Sequence, residues 1–527
     1  MLTDSPETFD NPQNDPENDP ENNPDNDPND DSCPELRAEL DFVFGRINYE
    51  RTNAVSYPRH FKLESMRRLL AELDDPQTKY SIIHVAGTKG KGSISRMIAG
   101  ALNEAGILTG IYSSPHIESL RERFSVGGQL ITETELADML GQVRLAVVRL
   151  DERAEHEGFR KNSFFEIMTA TAMLHFANRG VEKVVLEVGL GGRLDSTNVC
   201  EPELCVITNV SLDHTKQLGD TTDLIAREKA GIIKRGVPVV SGVRDPIARR
   251  EVRETASVNN SDLVEFGEDF HVRIDASANQ SHPSIRFDTH GNFPERHSYQ
   301  WSGLTVNSAG QHQAMNAAIA IAALNMLPDR FRISGQAIQS SLEKFTLIGR
   351  GEVICNQPLI VMDMAHNVAS VEALIGMLDR LHPNRQSGTR KLVYATSRDK
   401  DVPGMLNRLL PFFDQVVFTK FIENPRAMDP AEILAIAKSV QSESVQSESV
   451  QVTEQAETAK SAALSIQPNP REAWQAVVSP ESTAGTESDL ICVAGSAFLV
   501  AETRPLATAR YRQQRQKKAL SHDSKPG

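Results

Sequence analysis

"HVAGTKGKGSISRMIAG", residues 84–100, runs from an apolar strand through three closely spaced glycines into a helical pattern. Glycine lets backbone N–H groups close around an anion, and a helix N-terminus adds donors of its own, so such a turn suits a phosphate. The common spacing G-x-x-x-x-G-K-[ST] would put a glycine at position 85, where Val85 stands. The first loop glycine is instead Gly87, and Gly92 separates Lys91 from Ser93. This is a phosphate loop of an unusual subtype.

Working outward, eight short runs read as buried strands: 81–87, 183–189, 204–210, 237–242, 359–364, 391–396, 415–420 and 490–496. They are continuous and rich in Val and Ile, as parallel strands covered on both faces should be. Helical patterns separate most of them, among them 91–106 and 368–381. The fold class predicted is α/β: a parallel-sheet, doubly wound P-loop ATPase domain followed by a smaller Rossmann-like α/β domain. Residues 265–310 alternate in short polar runs, such as "HVRIDAS" and "SIRFDTH", and predict an antiparallel hairpin region attached to the first domain. The break near "EKFTLIGRGEVI" (343–354) divides the chain into a central domain over 35–345 and a C-terminal domain over 349–510.

Residues 1–34 hold eleven Asp or Glu and no Lys or Arg, so −11 of the chain's net −15 lies in that Asn/Asp/Pro repeat. Such a segment buries too little apolar surface to offset chain entropy and is expected to be disordered. The rest carries only −4, which gives no electrostatic case for a nucleic-acid partner. A second biased stretch, 439–465, repeats SVQSE and is expected to be a flexible insertion in the C-terminal domain; residues 511–527 form a basic tail that frays. Mean hydropathy is −0.36. No apolar run approaches the roughly 20 residues that span a bilayer, so no membrane partner is expected. Cys33, Cys200, Cys205, Cys355 and Cys492 are odd in number and scattered, which favours free thiols and a cytoplasmic location.

Ligands of α/β sheets sit beyond the carboxyl ends of the strands. There "LEVGLGGRLDSTN" places Glu187, "NVSLDHTKQLG" places Asp213 and His214, and "YSSPHIESLRERF" offers Ser113, Ser114, His116, Arg121 and Arg123. Singly, each has an ordinary reading: Glu187 as a solvated group, Asp213 as a helix cap, Ser-Ser-Pro as a turn. Their joint appearance at successive strand ends, after a phosphate loop, outweighs those ordinary readings.

These residues resemble the folylpolyglutamate synthase / dihydrofolate synthase family of the Mur ligase superfamily. The resemblance covers about residues 36–505 through "HVAGTKGKGS", "YSSPHI…RERFSVGG", "SFFEIMTATA", "LEVGLGGRLDSTN", "SLDHTKQLGDTTDLIAREKAGIIK", "GQHQAMNAAIA", "GRGEVI", "DMAHN" and "GSAFLVAE". Lys89 stands where the family usually has Asn, and Val368 where it has Pro. The resemblance implies that Gly90, Lys91, Gly92 and Ser93 hold the ATP phosphates, with Lys91 neutralising the transferred group. It implies Ser114, Glu187 and His214 as Mg2+ ligands and Lys229 as a carbamate-bearing lysine. Lys91, Lys229 and His214 are thus the catalytic candidates. From the residues alone His214 would not be preferred to Asp213, nor Lys229 to an ordinary helix lysine. The resemblance places Asn316, Arg350 and Asp363 at the nucleotide; caps for Asn316 and Asp363 and a surface ion pair for Arg350 are the alternatives. For the acceptor it implies Ser163, Phe164, Phe165 and Glu166 with Leu194, Asp195 and Ser196, one of the two phenylalanines stacking on a flat ring or packing in the core.

The activity implied is ATP-dependent amide formation. The γ-phosphoryl group passes to the carboxylate of dihydropteroate or a reduced folate, and the amine of L-glutamate attacks the acyl phosphate. The expected partners are these small molecules only, and the expected state is a monomer. A Mur-type peptidoglycan amino-acid ligase and a non-catalytic nucleotide-binding module are the rivals. The first shares the chemistry but lacks the "SFFE" and "GLGGRLDSTN" strings, and the second would need no cation-organising set.

Overall fold

The computed structural model describes residues 34–48, 63–275, 284–293, 298–308, 310–383, 388–422, 424–448, 462–478 and 488–522. Eight strands form the first sheet: β1 (Ser81–Ala86), β2 (Thr109–Tyr112), β3 (Phe124–Val126), β4 (Gln129–Leu130), β5 (Lys183–Glu187), β6 (Leu204–Ile207), β7 (Val239–Ser241) and β8 (Leu263–Glu265). Their order is β4-β3-β2-β5-β1-β6-β7-β8. The six from β2 to β8 in that order are parallel, and β3 and β4 add an antiparallel edge.

Side chains alternate across a strand, so each of these apolar runs feeds two cores. Ile83, Val85, Val185, Leu204 and Val206 face the helices Lys91–Glu104 and Gln311–Asn325. On the other face Ile82, Val184 and Leu186 meet the helices Glu133–Glu157 and Phe164–Asn178. Cys205 and Ile207 meet Thr222–Ala230 and Pro246–Val258. Both faces are covered, as the continuous hydrophobic runs require. The 265–310 region is a three-stranded antiparallel sheet, β9 (Phe270–Ile274), β10 (Ile285–Gly291) and β11 (Tyr299–Val306), whose Phe270, Phe287 and Tyr299 pack into the first of these cores.

The second domain holds β12 (Glu352–Asn356), β13 (Leu359–Asp363), β14 (Arg390–Tyr394), β15 (Gln415–Phe418), β16 (Ala463–Ile466) and β17 (Leu490–Ala494) in the order β12-β13-β17-β14-β15-β16. Only β12 runs antiparallel within this sheet.

Three expectations are corrected or fall outside the described residues. The insertion is shorter than 439–465: Pro430–Glu448 is one helix, and β16 pairs in parallel with β15. The helix begins before that run and carries into it: Ile433 and Ala437 precede it, and Val440 within it continues their buried face. Residues 449–461 lie outside the described residues. The basic tail does not begin as a frayed end, because the helix Ala497–His522 runs through residue 511; Arg, Gln, Lys, Ala and Leu there are good helix formers. Of the acidic segment only Pro34, which opens the helix Pro34–Phe44, is described. Among the described residues no helix is long and apolar enough to cross a membrane.

Candidate active site

The phosphate loop is shaped by what its glycines exclude. Gly87 has φ +151°, and a Cβ there would stand 1.9 Å from Thr208 Oγ1. Gly90 is left-handed (φ +83°) and caps the helix Lys91–Glu104; a Cβ on it would reach within 2.7 Å of Asn316 Oδ1. The first i→i−4 bond runs from Ile94 N–H to Gly90 O at 2.9 Å, so the N–H groups of Lys91, Gly92 and Ser93 precede the helical ladder. The loop is tied to the segment after β6. Lys89 N–H donates to Asn209 Oδ1 (2.9 Å), Thr208 Oγ1–H to Lys89 O (2.6 Å), and Thr88 N–H to Asn209 O (3.0 Å). Sequence reasoning missed Thr208 and Asn209, although they stand at a strand end as the other candidates do.

Two lysines converge on one carbonyl. Lys91 Nζ donates to Gly87 O at 3.1 Å and Lys229 Nζ donates to the same oxygen at 3.0 Å. Lys229 is buried, and burial, with the charge of Lys91, pushes its ammonium down to about 7 against the pull of Asp213. Glu187, the last residue of β5, lies opposite Val85 in the register; its Oε2 is 3.3 Å from the place a Cβ on Gly92 would occupy. Burial pushes its carboxyl up to about 7, opposed by Lys91, Arg96, Arg350 and the backbone N–H of Ser114.

The two long sequence strings are one packed unit that sets Lys229. Arg193 N–H donates to Glu228 O (2.8 Å) and its Nη2 to Glu228 Oε1 (2.7 Å). Asn198 Nδ2 donates to both Arg193 O and Gly231 O, at 2.9 and 3.0 Å. The loop after β5 and the helix Thr222–Ala230 therefore move as one body, with Lys229 inside it.

The second domain contributes from its entry segment and first parallel strand. Arg350 is flanked by left-handed Gly349 and Gly351 (φ +62° each). Asp363, at the end of β13, accepts from Gly351 N–H (2.6 Å) and Ala365 N–H (2.8 Å); burial raises its carboxyl to about 6 against these donors and Arg350. Arg350 acts electrostatically on Glu187 and Asp363 alike, so its charge spans the two domains. Asn316 is not a cap: it lies within the helix Gln311–Asn325 beside Gly90 and donates to Gln313 Oε1 at 2.9 Å. A cradle of N–H groups, two lysines and an arginine from the facing domain suits a polyphosphate.

Residues 85–324 match the Mur ligase middle domain, and residues 352–506 match the dihydrofolate synthetase C-terminal domain. A dihydrofolate synthase/folylpolyglutamate synthase of Bacillus subtilis is 36% identical over 368 residues, covering 69% of this chain and 82% of the relative. The chain belongs to the dihydrofolate synthase/folylpolyglutamate synthase family. It is an ATP-dependent ligase of the Mur ligase superfamily. The folylpolyglutamate synthase of Lacticaseibacillus casei is 35% identical over 397 residues, 73% of this chain and 88% of that one. Among solved structures, folylpolyglutamate synthase of Thermotoga maritima matches with a TM-score of 0.72 and 28% identity, over 90% of this chain and 96% of that one. Escherichia coli FolC in complex with DHPP and ADP matches with a TM-score of 0.69 and 26% identity, over 90% and 98%.

The other candidates of this ligase fall in three groups. Ser163 and Glu166 are engaged in a capping box: Glu166 Oε2 accepts from Ser163 N–H (2.8 Å) and Oγ–H (2.9 Å), while Arg160 Nη2 holds Oε1 at 2.8 Å. Phe164 is in the core, 5.9 Å from the Phe44 ring; Phe165 is only partly buried and covers Gly189, at the wall of the loop after Glu187. Asp195 organises the loop after β5 from within, its carboxylate accepting from Leu190 N–H (2.9 Å) and Thr197 N–H (3.0 Å) and Oγ1–H (2.5 Å); Leu194 is half-buried and Ser196 buried beside it. His214 is more than half exposed at a left-handed turn (φ +47°), with Asp213 Oδ1 3.9 Å from its Nε2. Of this pair it is Asp213 whose charge reaches Lys229. Ser114 meets Glu187 through its backbone N–H. His312, pressed by burial and by Arg350 and Lys89 to a lower range, and His366, whose Nδ1–H donates to Met364 O at 2.9 Å, lie in "GQHQ" and "DMAHN" and were passed over.

Proposed function

We propose that the chain joins L-glutamate to the carboxylate of dihydropteroate, of a reduced folate, or of both. The observation that carries this reading is the convergence of Lys91 and Lys229 on Gly87 O, beside Glu187 and below Arg350. A carboxylate is a poor electrophile, so one of its oxygens first attacks the γ-phosphorus of ATP and ADP leaves. The amine of L-glutamate then attacks the acyl carbon, the C–O bond to phosphate breaks, and the amine loses its protons as phosphate departs. In this scheme Lys91 leaves Gly87 O for the phosphoryl oxygens, while Lys91, Gly92 and Ser93 N–H groups hold the chain of phosphates in line. Arg350 neutralises charge from the opposite side, and closure of the second domain keeps water from the acyl phosphate.

A hard cation fits Glu187: a buried carboxyl at about 7, ringed by cations, is an oxygen donor that a dication would keep ionised. Magnesium, when bound, supplies Lewis-acid charge neutralisation at the phosphate oxygens. Glu187 and Ser114 would hold it, with His214 as the third candidate. Among the described residues no three His, Cys, Asp or Glu side chains stand grouped for a metal. The near-neutral amine of Lys229 is suited to capture carbon dioxide: its lone pair bonds to the carbon, one proton is released, and an anionic carbamate replaces the ammonium.

Purified protein with ATP and magnesium tests the reading. Phosphate release is expected only when L-glutamate and dihydropteroate or tetrahydrofolate are present together, and assaying the two acceptors side by side separates synthase from polyglutamate-extending activity. Release that ignores both acceptors, or requires a UDP-linked one, overturns it.

A further inference from the structure

We infer that Arg504 is a positioning residue for ligation: it clamps the second domain onto the loop that carries Ser114, by pairing with Glu118. This rests on the reading proposed above. Arg504 belongs to the helix Ala497–His522, and its guanidinium serves carboxylates of two domains at once. Nε lies 3.0 and 2.8 Å from the two oxygens of Glu352, and Nη2 lies 2.7 Å from Oε1. Nη1 lies 3.1 and 2.9 Å from the two oxygens of Glu118, in the segment between β2 and β3 of the first domain.

Each end of this bridge is itself fixed. Glu352 Oε2 also accepts Gly349 N–H at 2.9 Å, which ties the bridge to the turn that presents Arg350. On the far side, the buried carboxylate of Glu122 accepts the N–H groups of Ile117, Glu118 and Ser119 at 2.9, 2.7 and 2.9 Å, so Glu118 stands on a rigid turn. Four residues earlier, Ser114 donates its backbone N–H to Glu187. Hydrogen bonds joined by short stretches of backbone thus lead from Glu187 through the Ser114–Glu118 turn, Arg504 and Glu352 to Gly349, the neighbour of Arg350. The side chains of Arg504, Glu118 and Glu352 are 20%, 23% and 12% exposed, so the pairs are partly shielded from solvent. The Arg504–Glu118 contact forms only when the domains approach. It therefore favours the closed cleft and lets closure set Ser114 and Arg350 against the nucleotide together.

Glu118→Gln is the informative variant, because it removes the charge, keeps the volume and leaves Arg504 paired with Glu352. Three readouts are measured on the full chain: the dissociation constant of a non-hydrolysable ATP analogue with magnesium, KM for ATP against kcat, and the distance between spin labels at Leu145→Cys and Ile422→Cys. Both label sites are exposed, one on each domain. Glu118→Gln is expected to raise the dissociation constant and KM by about three- to tenfold, with kcat at saturating ATP within about twofold, because binding must now supply the closure. The labels should move apart in the unliganded variant and come together on adding the analogue, with an unchanged melting temperature. Adding Glu118→Gln to Arg504→Ala should weaken analogue binding no further, the sign of one shared contact. An unchanged dissociation constant and label distance in Glu118→Gln, or losses that multiply in the double variant, overturn the clamp. Binding and distance need no turnover, so a wild-type chain inactive with every pteroate acceptor would defeat the functional reading alone.

Discussion

Two lysines share the carbonyl of Gly87, and burial, with the nearby charge of Lys91 as a smaller cause, holds Lys229 near 7. Lys229→Ala is accordingly expected to lose most turnover while nucleotide binding, measured by calorimetry, persists. Incubation with 13C-bicarbonate should give a carbamate carbon signal that this variant lacks, and equal signals in both would remove the carbamate from the account. The two phenylalanines of "SFFE" separate just as sharply. Phe164, packed on Phe44, is expected to cost about 3–5 kcal/mol of stability on truncation to Ala, with the acceptor KM of the folded fraction unchanged. Phe165→Ala should instead raise the acceptor KM several-fold at near-native stability, since its ring stands against Gly189 in the loop proposed to hold the acceptor.

Elements were legible where apolar periodicity was uninterrupted. The eight strands read from sequence coincide with β1, β5, β6, β7, β13, β14, β15 and β17. Those missed are short or lie at sheet edges: β2 carries only "TGIY", and β12 and β16 flank the second sheet. Strand ends gave Glu187 but not Asn209, because an amide that braces a loop has no chemistry of its own to attract notice. Glu122 was equally silent, although the Ser119-x-x-Glu122 spacing is that of a capping box. The roles of Asn316 and Arg350 depend on contacts between distant segments, which a single sequence shows only through resemblance. One such contact has a pH signature. His84, within β1, bonds through Nε2 to Thr197 Oγ1 at 2.8 Å, and burial, then Lys234, pushes its imidazole down to about 3. Its folded value lies below the ordinary 6.5, so the unfolded chain binds a proton that the folded chain refuses as pH falls from about 6.5 to about 3. The stabilisation is present above that window and is lost within it. Urea midpoints at pH 7 and pH 5 should show wild type losing roughly 2 kcal/mol through this group, a share absent from His84→Gln.

At the scale of the molecule, a parallel sheet carries its loops to one edge, and the second domain brings Arg350 and Asp363 to that edge from outside. On the proposed reading, nucleotide binding is a two-domain property. Arg350→Ala is expected to weaken a non-hydrolysable ATP analogue about tenfold or more, since it removes a charge that acts on the carboxyl groups of Glu187 and Asp363 and, on the proposed reading, on the polyphosphate. Calorimetry reads this directly, and wild-type affinity in the variant would detach the second domain from the site. Glu187 and Asp363 end strands of the two sheets, Lys91 opens one helix, Lys229 lies in the last turn of another, and Asn316 lies within a third.

The central claim is that the acceptor's own carboxylate is phosphorylated before glutamate arrives. Dihydropteroate or tetrahydrofolate labelled with 18O in that carboxylate tests it in a single turnover with ATP and L-glutamate, followed by mass analysis of the released phosphate. Transfer through an acyl phosphate predicts one labelled oxygen in each phosphate formed. Unlabelled phosphate, its fourth oxygen drawn from solvent, would contradict it.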